Sequence, residues 1–244
     1  MCSDDPNIIA VPWARQIGAV WAQILEAQDL PRDGVVIELA PGVSPKLGFA
    51  LEAIGFRGRL HVVDASRIAS QCIVEAYRRI MPSATVHAVV ARIASAPAQL
   101  PTQCDALVLN HALDDLILGY SLSTGEFDAL FDNWAASPPS INRVRGYWQR
   151  AKRRRNELAR CADRVHDDLI RIAAHCRPRV IILGEYRSWI HETYQLDEPD
   201  RHARVLAQRL GVSIGSIGHV RSRVADGALT GLGYDPERWL VFEA

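Results

Sequence analysis

Val35-Val36-Ile37-Glu38-Leu39-Ala40-Pro41-Gly42-Val43-Ser44 is an apolar run that ends in an acidic residue and a glycine turn. A helical run follows, and then Leu60-His61-Val62-Val63-Asp64-Ala65-Ser66, a second apolar run ending in aspartate. A short continuous apolar run bounded by turns reads as a strand covered on both faces. In a parallel α/β sheet, ligands sit beyond the carboxyl ends of the strands. A glycine turn there lets the backbone approach a ligand closely. An acid at the next strand end, about twenty residues on, can hold ribose hydroxyls. The stretch is a nucleoside-cofactor site in outline.

Upstream of it, residues 8–30 carry apolar side chains at 13, 17, 20, 21, 24 and 25, the spacing of a helix with one buried face. That helix is expected to pack over the sheet, and residues 1–32 to form a helical lid to which Trp13 and Arg15 contribute. Residues 31–34 are a turn. Downstream, Ser44 stands as N-cap and Pro45 at the first position of a helix over 45–54. Ser66 caps the next helix, which stops at Pro82. Strands follow over 85–91 and 104–110. The next strand, 180–184, comes far later than a plain crossover requires. The intervening residues 116–177 include a long Arg-rich helix over 142–175 and read as a helical cap inserted into one domain. A helix over 200–210 ending at Gly211, then strands over 212–220 and 239–243, complete the pattern.

The 244 residues suffice for one α/β domain with a buried core. Formal net charge is zero, so nothing global favours nucleic acid or an anionic membrane. The run Lys152-Arg153-Arg154-Arg155 is followed by Glu157, Asp163, Asp167 and Asp168 and reads as a solvated helix face, not an RNA surface. Cys2, Cys72, Cys104, Cys161 and Cys176 are widely spaced and odd in number, which points to reduced thiols. The acidic N-terminus lacks a signal-peptide pattern, and no apolar run reaches the roughly 20 residues of a membrane span. A cytoplasmic protein is expected, with a small-molecule substrate, no nucleic-acid or membrane partner, and a homodimer left open.

The order β-α-β-α-β-α-β, an insert, then β-α-β-β with a terminal Trp-Leu-Val-Phe resembles the class I S-adenosylmethionine-dependent methyltransferases. The resemblance covers residues 33–244, apart from 116–177. It implies an α/β fold: a doubly wound, Rossmann-like seven-stranded sheet with an antiparallel last strand. It implies S-adenosyl-L-methionine as methyl donor or as substrate. The family's first motif, an acid followed by alternating glycines, falls on Glu38-Leu39-Ala40-Pro41-Gly42-Val43-Ser44, which keeps only the middle glycine. Asp64, followed by Ala65 and Ser66, matches the acid used on the ribose. Ala91-Arg92-Ile93 matches the border of the adenine, and Asn110-His111 the strand end beside the sulfonium. Pro41, Pro45 and the single glycine argue against a dinucleotide turn, whose glycines bring pyrophosphate to a helix N-terminus.

Candidate chemistry is densest in Asn110-His111-Ala112-Leu113-Asp114-Asp115. Transfer to an oxygen or nitrogen needs the acceptor held in line and often a base. His111 is the natural base, since its ordinary pKa lies near neutrality. Asp114 or Asp115 can orient it, or take the proton when desolvated. His111 and Asp115 stand four apart, yet no further cluster completes a coordination set, so no metal is expected. Glu185 and Tyr186 follow the fifth strand. With Tyr147 and Trp148 they offer an aromatic wall suited to a sulfonium, and Tyr186 is the foremost of these for a catalytic role. Asn142 and Arg145 are candidates for a ligand carboxylate.

The resemblance implies a SAM-dependent transferase of small-molecule biosynthesis, with methyl transfer to oxygen or nitrogen as the first expectation. The sulfonium activates three carbons. The alternative is therefore aminocarboxypropyl chemistry releasing methylthioadenosine, including cyclisation of SAM to azetidine-2-carboxylate. Azetidine-2-carboxylate synthases are methyltransferase-like in fold. A SAM-binding scaffold is the non-enzymatic alternative.

Overall fold

The computed structural model describes residues 11–132, 141–154, 156–185, 197–222 and 236–244. Its strands are β1 (Val35–Leu39), β2 (Arg59–Asp64), β3 (Thr85–Val90), β4 (Cys104–Asn110), β5 (Pro178–Gly184), β6 (Val220–Ser222) and β7 (Trp239–Glu243). They form one sheet in the order β3-β2-β1-β4-β5-β7-β6. The first five pair in parallel, and β7 runs antiparallel to both β5 and β6. This is the doubly wound sheet that the strand pattern implied. Its order reverses between β1 and β4, which opens a crevice beyond Leu39 and Asn110.

Alternate strand residues serve two apolar layers. Val36, Val62, Val108 and Ile182 face α1 (Val11–Ala27), α2 (Lys46–Ala53) and α3 (Arg67–Ile80). Ile37, Val63, Leu107 and Ile181 belong to the other layer. That layer takes α4 (Leu113–Ser121), α6 (Ile141–Arg153), α7 (Glu157–Cys176) and α8 (Asp197–Ser216), with the short α5 (Thr124–Phe127) beside it. Burial on both faces is why the central strands read as continuous apolar runs. Ser66 caps α3, its Oγ accepting from Ala69 N–H at 3.1 Å.

Several expectations are corrected. The helix expected over 142–175 is two helices, because Asn156 takes a left-handed φ of 63° between them. Asparagine tolerates that conformation better than most residues. α7 lays Val165, Leu169 and Ile172 into the sheet layer, so the stretch read as a cap includes the β4–β5 crossover helix. Residues 212–216, expected as strand, are the last turn of α8, and the strand is only Val220–Ser222. Gly211 does not end that helix. A Cβ there would lie 3.3 Å from Phe242 Cζ, so the glycine serves close packing while Ile214 continues the buried face. Ser44 does not cap α2, whose N-cap is Pro45 without a side-chain hydrogen bond. Cys104, Cys161 and Cys176 are free thiols, but Cys72 is disulfide-bonded, against the expectation of reduced thiols throughout. Spacing along the chain does not limit pairing through space. Among the described residues no helix is long and apolar enough to cross a membrane.

Gly58 enters β2 hard against the turn before β1, where a Cβ would lie 2.1 Å from Gly34 O. Gly58→Ala is expected to destabilise by about 1–3 kcal/mol, the usual range for overpacking. A lower urea midpoint at unchanged slope is the readout, and an unmoved midpoint would contradict it.

Candidate active site

β1 runs out into a turn built on two left-handed residues. Ala40 has φ 50° and Gly42 φ 63°. Such a φ costs a non-glycine residue roughly 1–2 kcal/mol. Ala40 N–H donates to Val63 O at 2.7 Å, which locks the turn to β2. A Cβ on Gly42 would meet nothing within 4 Å, so the turn faces open space. Asp64, 9% exposed, accepts from Gly42 N–H at 3.2 Å and Ser66 N–H at 2.8 Å. One carboxylate thereby joins the glycine turn, the end of β2 and the start of α3. Ala65, between them, is half-buried. Ala91 N–H donates to Asp64 O, the Arg92 guanidinium lies 4.9 Å over the Phe127 ring, and Ile93 is buried in the core.

Glu38 is fully buried in the layer under α2 and α3. Tyr77 donates to its Oε2 at 2.7 Å, and its Oε1 has no hydrogen-bond partner among the described residues. Burial pushes its carboxyl up to about 7, against the pull of Tyr77 and Lys46 and with a smaller push from Asp64.

Lys46 escaped sequence reasoning. It opens α2, is 6% exposed, and holds its ammonium 5.0 Å from the Trp13 ring centre. Burial lowers its pKa to about 8, opposed by Glu38, Asp115, Glu185 and Asp114. The available signal was a lysine opening the apolar run Leu47-Gly48-Phe49-Ala50-Leu51, in a chain with one other lysine.

At the next strand end, Asn110 is buried and His111 turns with φ 54°. His111 N–H donates to Gly184 O at 2.7 Å, tying β4 to β5. Glu185, 4% exposed, accepts from Ala112 and Leu113 N–H at 3.3 Å each. It thus sits at the N-terminus of α4, where a carboxylate is favoured. Burial nevertheless drives its pKa well above the usual carboxylate range, aided by Asp114, eased by those two amides and raised again by Asp115. Asp114 is buried and Asp115 exposed. Two coupled buried carboxyls favour holding one proton between them.

The structure brings Glu38, Asp64, Asn110, His111, Asp114 and Asp115 to one edge of the sheet and adds Lys46 and Glu185. Trp13 is half-buried against Lys46, while Arg15 is exposed over the Phe49 ring at 4.3 Å. Asn142 is exposed and Arg145 half-buried on α6. Tyr147 and Trp148 are buried in the core, where Tyr147 meets the Arg150 guanidinium at 4.4 Å and Trp148 stacks on His202 at 6.2 Å. Their burial is that of packing residues. Tyr186 lies outside the described residues. Among the described residues, no group of three His, Cys, Asp or Glu side chains is placed to hold a metal ion. Glu185 also borders a cavity of about 550 Å³ whose walls include Arg204, Arg238, Leu240 and Phe242.

No family profile and no curated protein matches the sequence. Solved structures share its fold. The chain is similar to the methyltransferase domain of bacterial CtHen1-CN at 13% identity and TM-score 0.50, over 94% of this chain and 98% of that one. It is similar to PH0851 at 12% identity and TM-score 0.50, over 93% of this chain and 46% of that one. It is similar to WbdD at 11% identity and TM-score 0.50, over 100% of this chain and 43% of that one. It therefore spans less than half the length of the latter two. At these identities the likeness shows the fold alone, a Rossmann-like sheet shared with a methyltransferase domain.

Glu38 gives the site a pH signature. Its folded pKa of about 7 exceeds the ordinary 4.5, so its contribution to stability is fullest below 4.5 and is lost as pH rises toward 7. Glu38→Gln is expected to flatten that segment of the stability–pH curve. Parallel curves for the two proteins between pH 4.5 and 7 would contradict it.

Proposed function

We propose that the protein is an S-adenosylmethionine-dependent transferase acting on a small molecule, by methyl transfer to oxygen or nitrogen. The reading is carried by Asp64, which ends β2 bonded to the N–H of Gly42 in a turn that faces open space. A ribose-bearing ligand needs that combination of close backbone and an acid within reach of its hydroxyls. Glu38 Oε1, buried without a hydrogen-bond partner among the described residues, supports a ligand donor nearby. Bound SAM supplies carbons activated by its sulfonium. The chain's own residues bind it, exclude water and move a proton. Leu39, Ala40, Gly42, Asp64, Ala65, Ser66, Ala91, Arg92 and Ile93 line the nucleoside side, and Asn110 stands beside the reacting end. Burial holds the Glu185 carboxyl toward its protonated form beside Asp114. Asp114, Asp115 and His111 are the groups placed to take the acceptor's proton.

The clustering of Glu38, Lys46, Glu185 and Asp114 also supports a second reading, chemistry at the aminocarboxypropyl arm. Asp114 then takes the proton of the attacking amine, of an acceptor or of SAM itself, as the new N–C bond forms, the C–S bond breaks and methylthioadenosine leaves.

Calorimetry is expected to show SAM binding that Asp64→Ala weakens by about tenfold or more. Incubation with SAM and identification of the nucleoside product then separates the chemistries. Adenosylhomocysteine formed only with an acceptor supports methyl transfer. Methylthioadenosine formed without one supports cyclisation. Binding with neither product from any acceptor leaves a scaffold, and absence of binding overturns the whole reading.

A further inference from the structure

We infer that the cleft between α8 and the β6–β7 edge of the sheet is a second ligand site, which takes a small molecule carrying a carboxylate on an apolar chain, with Arg221 as its anion contact. The inference stands apart from the adenosylmethionine reading, because β5 separates this cleft from the crevice between β1 and β4.

The cleft holds about 550 Å³, within the roughly 300–1,000 Å³ of small-molecule sites. Its floor is apolar, since Leu240 and Phe242 of β7 line it and belong to the buried core. Its opposite wall is α8, from Arg204 to Gly215. Helix of that length rises roughly 16 Å, so the space is elongated and suits a chain. It stays open because α8 presents glycine along it. A Cβ on Gly211 would already lie 3.3 Å from Phe242 Cζ, and one on Gly215 would meet nothing within 4 Å. Val212, exposed, adds an apolar lip.

The cations in its walls are not equivalent. Arg238 donates to both oxygens of Asp200, at 2.6 and 3.3 Å, and Arg204 lies 3.5 Å from the same buried carboxylate. Arg221 differs. It stands opposite Phe242 in the antiparallel pairing of β6 and β7, and residues so paired share a face of the sheet. Its guanidinium therefore lies at the Phe242 end of the cleft, and it has no ion-pair partner among the described residues. Two carboxyls also line the cleft. Glu237 is exposed, and Glu185 is held toward its protonated form by burial. An unpaired guanidinium at the end of an apolar trough is matched by an amphipathic anion. The chain lies along Leu240 and Phe242, and the carboxylate accepts from the guanidinium, which can donate to both of its oxygens. A neutral chain of the same length gains the apolar contact alone.

Calorimetry with octanoate and octanol, both below micelle-forming concentration, tests this. The wild type is expected to bind octanoate about five- to tenfold more tightly than octanol. Arg221→Gln is expected to bind the two within about twofold of each other, and Arg221→Lys to keep most of the preference. Arg209→Gln removes a cation of α8 that pairs with Asp163 of α7, away from the cleft, and is expected to bind both as the wild type does. Similar octanol affinity in all four proteins reports an intact cleft. A diazirine-bearing octanoate, photolysed on the wild type, is expected to label α8, β6 or β7. No saturable octanoate binding, or equal binding of octanoate and octanol by the wild type, overturns the inference whatever the variants do. So does cross-linking confined to other elements. An Arg221→Gln protein that keeps the full preference overturns it too, as does an Arg209→Gln protein that loses as much, since surface charge in general would then be responsible.

Discussion

Carboxylates buried at the carboxyl ends of three strands hold the crevice in shape. An unmet acceptor is costly in a low-dielectric interior, so each carboxylate fixes a donor. Asp64 fixes Gly42 and Ser66, which sets the glycine turn against α3. Glu185 fixes the first amides of α4, which sets the His111 turn against β5. Glu38 fixes the hydroxyl of Tyr77, which sets α3 against β1. Without these anchors the sheet could still form from its apolar runs. The loops at its edge would lose the contacts that aim them.

Backbone strain is placed at the same edge. Ala40 and His111 are both left-handed without being glycine, and they flank the point where strand order reverses. Each is held by a short N–H bond to a neighbouring strand, to Val63 O and Gly184 O, at 2.7 Å in both cases. Strain of this kind persists only where the surroundings over-determine it, and it gathers at functional sites. Ala40 explains how the degenerate motif still makes its turn: the conformation is kept although the residue that makes it easy is absent.

The sheet was legible because its signal is local. Strands covered on both faces are short apolar runs, and Val35–Leu39, Cys104–Asn110 and Pro178–Gly184 all lie where such runs end in a turn. The acids at strand ends were legible for the same reason. The misreadings share one cause, tertiary packing that overrides a local preference. Gly211 looks like a helix terminator until Phe242 is set against it. Asn156 splits two helices whose apolar positions run on almost in phase. Lys46 and Tyr77 could not be assigned from sequence, because their roles depend on contacts among α1, α2, α3 and β1. Glu185 caps a helix 73 residues before it, a distance at which no local pattern operates.

Gly184 has a further consequence. Its missing side chain makes room for Trp21 of α1 and Trp239 of β7, whose rings meet edge to face with centroids 5.0 Å apart. The two residues stand near opposite ends of the sequence, and both are buried beside the strand that leads to Glu185. The excited states of closely apposed indoles couple, which circular dichroism detects. The pair therefore offers an optical gauge of whether the first helix and the last strand are docked together, without any added label.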